Sequence, residues 1–159
     1  MERSLLGRKC TLVPSTFFDP ATVREALASV CTLDDSEEVA FKAVPDYDAY
    51  LIYVSGGDDA LPEMFYILEG LAKCPEYNKI LCSWVGGCLY MAIAQGRTLL
   101  LSNVYEAPDF TTAEYFIFLA MKSLQLNPEV STICWRLPIG GEEEMSLYRY
   151  FKSVDVLCE

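Results

Sequence analysis

Lys79-Ile80-Leu81-Cys82-Ser83-Trp84-Val85-Gly86-Gly87-Cys88-Leu89-Tyr90-Met91-Ala92-Ile93-Ala94-Gln95-Gly96-Arg97-Thr98-Leu99-Leu100-Leu101-Ser102-Asn103-Val104-Tyr105 is the stretch that decides the fold. Two apolar runs of strand length, 79–85 and 88–94, meet directly at Gly86-Gly87, and a two-residue hairpin connection needs the positive φ that glycine adopts without strain. Gln95-Gly96-Arg97 punctuates the chain again before the run from Thr98 to Tyr105. The sequence therefore predicts three antiparallel strands in a meander.

Working outward toward the C-terminus, a helix is predicted from Thr111, with Glu114 three residues later completing a capping box. Ala113, Phe116, Ile117, Ala120, Met121 and Leu124 share one face, and Phe118 and Leu119 extend the apolar surface nearly all round. Such a helix, over 113–126, is expected to be buried on the sheet. Asn127-Pro128 ends it, and there follow a strand over 132–137, an amphipathic helix over 142–151 and a closing strand over 154–157. This lobe reads β-β-β-α-β-α-β.

Toward the N-terminus, residues 9–13 form a β-prone run, and Asp19-Pro20 supplies an N-cap and a first-turn proline. The helix that follows carries Val23, Ala26, Leu27 and Val30 at the spacing of one buried stripe. Runs at 39–44 and 49–54 flank the turn residues Pro45-Asp46-Tyr47-Asp48 and read as a hairpin. Gly56-Gly57-Asp58-Asp59 is expected to open a second helix with Leu61, Met64, Phe65, Leu68, Leu71 and Ala72 on one face, ended by Cys74-Pro75. This lobe reads β-α-β-β-α. The expected organisation is a single compact unit over 1–159, with lobes at 1–75 and 76–159.

Composition bounds what such a chain can do. With 159 residues, 52% of them hydrophobic, it can build a core without disulfides or a metal, and it is not disordered. Its densest apolar stretch, Tyr115 to Met121, is far too short to cross a bilayer, and Glu2 and Arg3 interrupt any leader-like opening. The expectation is a soluble, cytoplasmic protein. The 12 Lys and Arg against 23 Asp and Glu give a net charge of −11 with no basic cluster, so neither nucleic acid nor an anionic membrane is an expected partner. The acidic runs at 34–38 and 142–144 suit solvated loops and helix starts.

Cys10, Cys31, Cys74, Cys82, Cys88, Cys134 and Cys158 are odd in number and contain no C-x-x-C pair, which argues against a disulfide framework and a zinc framework alike. Cys10, Cys82 and Cys134 lie in apolar strand runs and read as core. The chain has no histidine, which removes Ser-His-Asp, Cys-His and His-metal chemistry. The cysteines are expected to be reduced and metal-free. No cofactor is expected.

Three antiparallel strands followed by α-β-α-β is the element order of the ribonuclease H-like fold, which also builds each half of the actin, sugar-kinase and Hsp70 ATPase superfamily. Cys10-Thr11-Leu12-Val13-Pro14 with Phe18-Asp19, then Leu99-Leu100-Leu101-Ser102-Asn103, Ala113-Glu114-Tyr115-Phe116 and Leu126-Asn127-Pro128, resemble in order a Bacteroidetes family of uncharacterised proteins assigned to that superfamily. The resemblance covers nearly the whole chain and implies an α/β, actin-like ATPase fold with a mixed sheet. It also implies a reduced first lobe. Members of that family begin with an additional hairpin, which Met1 leaves little room for ahead of Cys10, and carry a longer connection between the strand ending near Val54 and the meander.

The chemistry implied by that resemblance finds few residues to carry it. An actin-like ATPase holds phosphate and Mg²⁺ at Asp-containing hairpin turns, whereas Trp84-Val85-Gly86-Gly87-Cys88 has no carboxylate. A ribonuclease H-type nuclease needs carboxylates on the first and fourth strands and the first helix. The strands offer Leu81, Cys82 and Ser83, then Cys134, Trp135 and Arg136, leaving Glu114 alone on the helix. Gly56-Gly57-Asp58-Asp59 lacks the Lys-Ser/Thr ending of a phosphate loop, and its aspartates repel phosphate; it reads as a helix cap, with a divalent-cation site as the other reading. Tyr47, Tyr50, Tyr77 and Tyr105 fall at element ends, where they read as core or as a docking cluster.

No catalytic, cofactor-binding or metal-ligating residue is assigned. Two functions stay open. One is a non-enzymatic, degenerate actin-like scaffold or interaction module whose partner is another protein or another copy of the chain. The other is a nucleotide-binding or phosphotransfer protein whose site is divergent or shared.

Overall fold

The computed structural model describes the backbone of Ser4–Leu5 and residues 9–56 and 59–157. Two compact units divide the chain, Met1–Tyr66 and Ile67–Glu159.

In the first unit, the short strand β1 (Ser4–Leu5) precedes β2 (Cys10–Pro14), helix α1 (Val23–Ala28), β3 (Glu38–Val44), β4 (Ala49–Ser55) and the short strand β5 (Leu61–Pro62). Strands β2, β4 and β3 form an antiparallel sheet in that order. The β3–β4 hairpin turns where the sequence predicts, through a 3₁₀ turn at Pro45–Tyr47 and a left-handed Asp48 with φ of 51°. Helix α1 lies against the sheet through the fully buried Leu27. Its Arg24 guanidinium donates to the carbonyls of Glu37 and Asp34 at 2.6 and 2.7 Å, and Lys9 Nζ donates to the Glu37 carboxylate at 2.7 Å.

Two helix expectations in this unit need correction. Asp19 does cap, accepting from the Ala21 N–H at 2.9 Å, but Pro20 opens a 3₁₀ turn over Pro20–Thr22 before α1 proper begins. The helix then stops at Ala28, so Val30 lies beyond it and is 61% exposed instead of completing the buried stripe. The second helix, α2 (Glu63–Leu71), starts later than Gly56–Asp59 suggests, because Leu61–Pro62 pairs as a parallel strand with Ser4–Leu5. A proline lacks the N–H that a strand interior or helix interior needs, and it fits the seam between the two. Gly57 and Asp58 of the expected cap lie outside the described residues. Met64, Phe65, Leu68 and Leu71 are buried as the spacing requires.

The second unit holds β6 (Asn78–Val85), β7 (Cys88–Gln95), β8 (Thr98–Glu106), α3 (Phe110–Ser123), β9 (Thr132–Trp135), α4 (Gly141–Tyr148) and β10 (Ser153–Val156). The sheet order is β10-β9-β6-β7-β8. The meander β6-β7-β8 is antiparallel, while β9 runs parallel to β6 and β10 parallel to β9. This is the mixed sheet that the sequence order predicts. Gly86 and Gly87 form the two-residue connection, with φ of 61° and 73° and Val85 paired directly to Cys88. Gly96, φ 57°, makes the second turn.

Alternation decides which strand residues meet the helices. Ile80, Cys82, Leu89, Met91, Ile93, Ile133, Trp135 and Val154 point to one face and enclose a core with Ala113, Ile117, Ala120 and Met121 of α3 and Leu147 and Phe151 around α4. Leu81 and Cys134 alternate to the other face and are fully buried there too. The end of α2 covers part of that face closely: a Cβ on Gly70 would stand 2.9 Å from Leu81 Cδ2.

Helix α3 is not the all-round buried helix of the sequence reading. Ile117 is fully buried and Phe116 stacks on Tyr105, but Tyr115 and Leu119 are 61% and 45% exposed. Its cap also differs. Asp109, not Thr111, is the N-cap, accepting from the Thr112 N–H at 2.8 Å and the Thr112 hydroxyl at 2.9 Å. Its exit is a Schellman motif: Leu126 N–H donates to Met121 O and Gln125 N–H to Lys122 O, with Gln125 left-handed at φ 58°.

Candidate functional site

Three places in the second unit bear on chemistry. The first is the Gly86-Gly87 turn. The Gly87 carbonyl accepts from the Ala107 N–H at 2.9 Å, and Trp84 Nε1 donates to the Ala107 carbonyl at 2.9 Å. The Phe110 ring packs edge-on to Trp84 at 5.3 Å, so the base of the hairpin is tied to the end of β8 and the start of α3. Both glycines hold a positive φ, as the flanking strands require. The four residues Val85 to Cys88 contain no carboxylate and no cation.

The second place is Glu114, the remaining carboxylate of a nuclease-like arrangement. With Asp109 doing the capping, Glu114 turns toward α4, and the Ser146 hydroxyl reaches both its oxygens at 2.9 and 3.0 Å. The strand positions that a two-metal site would need are occupied by Leu81, Cys82 and Ser83 and by Cys134, Trp135 and Arg136, as the sequence indicates. Cys82 is fully buried, and desolvation pushes its thiol far above the ordinary range.

The third place went unrecognised in the sequence. Ligand atoms of Glu76, Cys134 and Asp155 lie within 4.8 Å of one another. Cys134 and Asp155 are register partners on the parallel strands β9 and β10, so their side chains leave the sheet on the same side. Glu76 arrives from the loop after α2, and so does Cys74, whose thiol is hydrogen-bonded with that of Cys134. Cys74 and Cys134 are both buried. The contact with Cys74, then burial, pushes the Cys134 thiol up; the same hydrogen bond pulls Cys74 down. Glu76 Oε2 is enclosed by protein and has no hydrogen-bond partner among the described residues. Lys79 sits beside the group, its ammonium donating to the Glu76 carbonyl. No local spacing announces this set, because the parallel β9–β10 register and the α2 exit bring together residues far apart in the chain.

Tyr50 stacks on Phe18 with centroids 3.8 Å apart, and Tyr105 on Phe116 at 4.7 Å. Tyr77, 69% exposed, lies against the Gly96 turn, whose N–H donates to its carbonyl. The six described cysteines are free thiols, with Cys10 half-buried and Cys82 and Cys134 in the interior. No helix among the described residues is long and apolar enough to cross a membrane.

The fold is that of an actin-like ATPase. The particular structure it resembles is a crystal structure from Bacteroides thetaiotaomicron VPI-5482 of a protein with actin-like ATPase fold and unknown function, at a TM-score of 0.80 and 14% identity. The match covers 95% of this chain and 65% of that one, so the chain spans somewhat less than two thirds of that protein's length. No protein-family model matches the chain, and no curated protein matches it.

Proposed function

We propose that the protein is a non-enzymatic interaction module, a cytoplasmic scaffold built on a degenerate actin-like fold. The observation that carries this reading is the Gly86-Gly87 hairpin. At the turn where such a fold would organise Mg²⁺ and phosphate, the chain supplies no carboxylate, and the Gly87 carbonyl is engaged by Ala107. A phosphate site needs a cation or a set of free N–H donors, with an acidic side chain to hold the metal. The Glu114 carboxylate is engaged by Ser146 as a tie between α3 and α4, which favours a structural role over a catalytic one. Free thiols suit a reducing compartment, and the charge of −11 favours a protein partner over nucleic acid.

Thermal unfolding in the presence of ATP, ADP or GTP with Mg²⁺ tests the reading. A nucleotide present at about 100 times its Kd adds about 2.7 kcal/mol, which corresponds to roughly 5–10 °C for a domain of this size. The expected result is no shift. A shift of that size, lost when Gly86 and Gly87 are both replaced by alanine in a protein that still folds, would establish a nucleotide-binding protein instead.

A further inference from the structure

We infer that the outer edge of β8, with the flank of α3 beside it, is the surface through which two copies of this chain pair. β7 runs along the inner edge of β8, and no described strand runs along the outer one. The ladder fixes which groups face outward. The Ala107 N–H donates to the Gly87 carbonyl, so the alternation of an antiparallel ladder bonds Tyr105, Asn103 and Leu101 to Leu89, Met91 and Ile93. Ser102 and Val104 therefore turn their N–H and carbonyl groups away from the sheet. Asn103 stands in for the missing strand: its exposed side chain folds back, and Oδ1 accepts from the outward Val104 N–H at 2.9 Å. A bulge leaves Leu100 unpaired between Ile93–Leu101 and Ala94–Leu99, but from Leu101 to Tyr105 the ladder is regular. That stretch carries no lysine, proline or charge of the kind that blunts an edge.

The occupant this edge fits is a second copy of itself. A two-fold axis through Asn103 sets Ser102 of each copy opposite Val104 of the other, and each such pair exchanges both backbone bonds. Asn103 then faces its own copy at the closer, non-hydrogen-bonded kind of pair, about 4.5 Å between Cα atoms. Glu106 faces Leu100, so no like charges meet. The helix supplies an independent observation. Phe116 stacks on Tyr105 of β8, whereas Phe118 packs on Tyr150 beyond α4. At about 100° per residue, Leu119 falls on the Phe116 flank of α3, next to Tyr115, and both side chains are exposed. Pairing the β8 edges lays the two α3 helices alongside each other and gives Leu119 and Tyr115 apolar surface to pack on. Charge selects the partner. The chain carries −11, yet Leu101 to Tyr105 and the α3 positions Thr112, Tyr115, Phe116, Leu119 and Ser123 carry none of it, so two acidic chains meet here without local repulsion and a basic partner finds no carboxylate to pair with.

This inference deepens the interaction-module reading and rests on it for its biological use, but the two fail separately: a monomer leaves the nucleotide result standing, and a nucleotide shift leaves the pairing standing. The test is sedimentation velocity of the reduced full chain from about 1 µM to about 200 µM, a range that covers interfaces of modest affinity. The expected result is a concentration-dependent passage from monomer to dimer. Asn103→Asp keeps an oxygen for the Val104 N–H but sets two carboxylates face to face on the axis, and it should weaken pairing at least about 10-fold. Leu119→Glu should do the same from α3, whereas Met145→Glu, an equal charge change at an exposed position on α4, should leave pairing as in the parent. With a thiol oxidant added, Asn103→Cys should give a disulfide-linked dimer on a non-reducing gel, since its Cα separation lies near the lower end of the disulfide range of about 4.4–6.8 Å. A chain that stays monomeric overturns the inference and leaves the edge to a strand of a different protein. So does a dimer that tolerates Asn103→Asp and Leu119→Glu as it tolerates Met145→Glu, or an Asn103→Cys variant that cross-links no more than the parent.

Discussion

At the scale of single residues, three left-handed backbone positions and two carboxylates carry the clearest consequences. Gly86 and Gly87 both hold positive φ, and no atom lies within 4 Å of where a Gly87 Cβ would stand, so conformation rather than space demands glycine there. Replacing both with alanine should cost about 1–2 kcal/mol per position, read as a lower urea midpoint at unchanged m-value. Gln125 presents the opposite case. It holds the left-handed position of the Schellman motif at φ 58°, and Gln125→Gly should stabilise by about 0.5–1 kcal/mol once the extra flexibility of unfolded glycine is offset. An unchanged or lower midpoint would show that the Gln125 side chain contributes something the backbone geometry does not. Asp109 titrates low because the Thr112 N–H, and then the Thr112 hydroxyl, donate to its carboxylate; Glu37 titrates low because of the Asp34 N–H and then Lys9. A depressed carboxylate pKa gives stability that is present above the ordinary carboxylate range and lost as pH falls through the folded value. Asp109→Asn still caps, so it should leave neutral-pH stability nearly unchanged while flattening the acid limb of a midpoint-against-pH curve.

At the scale of elements, α3 shows how far sequence periodicity reaches. Ile117 is fully buried, and Ile117→Ala should cost about 2–5 kcal/mol, whereas Leu119→Ala, at a position 45% exposed, should stay within about 0.5 kcal/mol. Equal losses at the two would restore the all-round buried helix that the apolar run from Tyr115 to Met121 suggests. The meander was legible because everything that defines it is local: two-residue periodicity, flanking strands and turn glycines. The α3 cap was misread because Asp109 and Thr111 are both capping residues, and the choice depends on Glu114 finding a better partner in Ser146 of α4. The start of α2 was misread because Leu61–Pro62 takes its partner from Ser4–Leu5, at the far end of the unit. Cys134 was correctly read as interior, but its neighbours Cys74 and Glu76 come from the loop after α2 and Asp155 from β10, and none shares a spacing with it.

At the scale of the whole molecule, charge is the property with a global effect. A net charge of −11 on 159 residues means that the folded state works against self-repulsion, which salt screens over about 10 Å at 0.1 M. Raising NaCl from about 10 mM to about 0.3 M should therefore raise the thermal midpoint, and a midpoint that falls would mean that ion pairs such as Lys9–Glu37 outweigh the repulsion. The order of strands, β10-β9-β6-β7-β8, carries a different kind of consequence, one of time. The β6-β7-β8 meander closes through two-residue loops and so forms contacts between near neighbours in the chain, while β9 and β10 join only after the intervening helices have brought them round. Short loops lose little entropy on closing, which places the Gly86-Gly87 hairpin early on the folding route and the parallel edge late. Alanine at the two glycines should thus act mainly by slowing refolding, with a φ-value well above one half, whereas Val154→Ala on β10 should mainly hasten unfolding, and stopped-flow chevrons of the two variants would separate in opposite limbs.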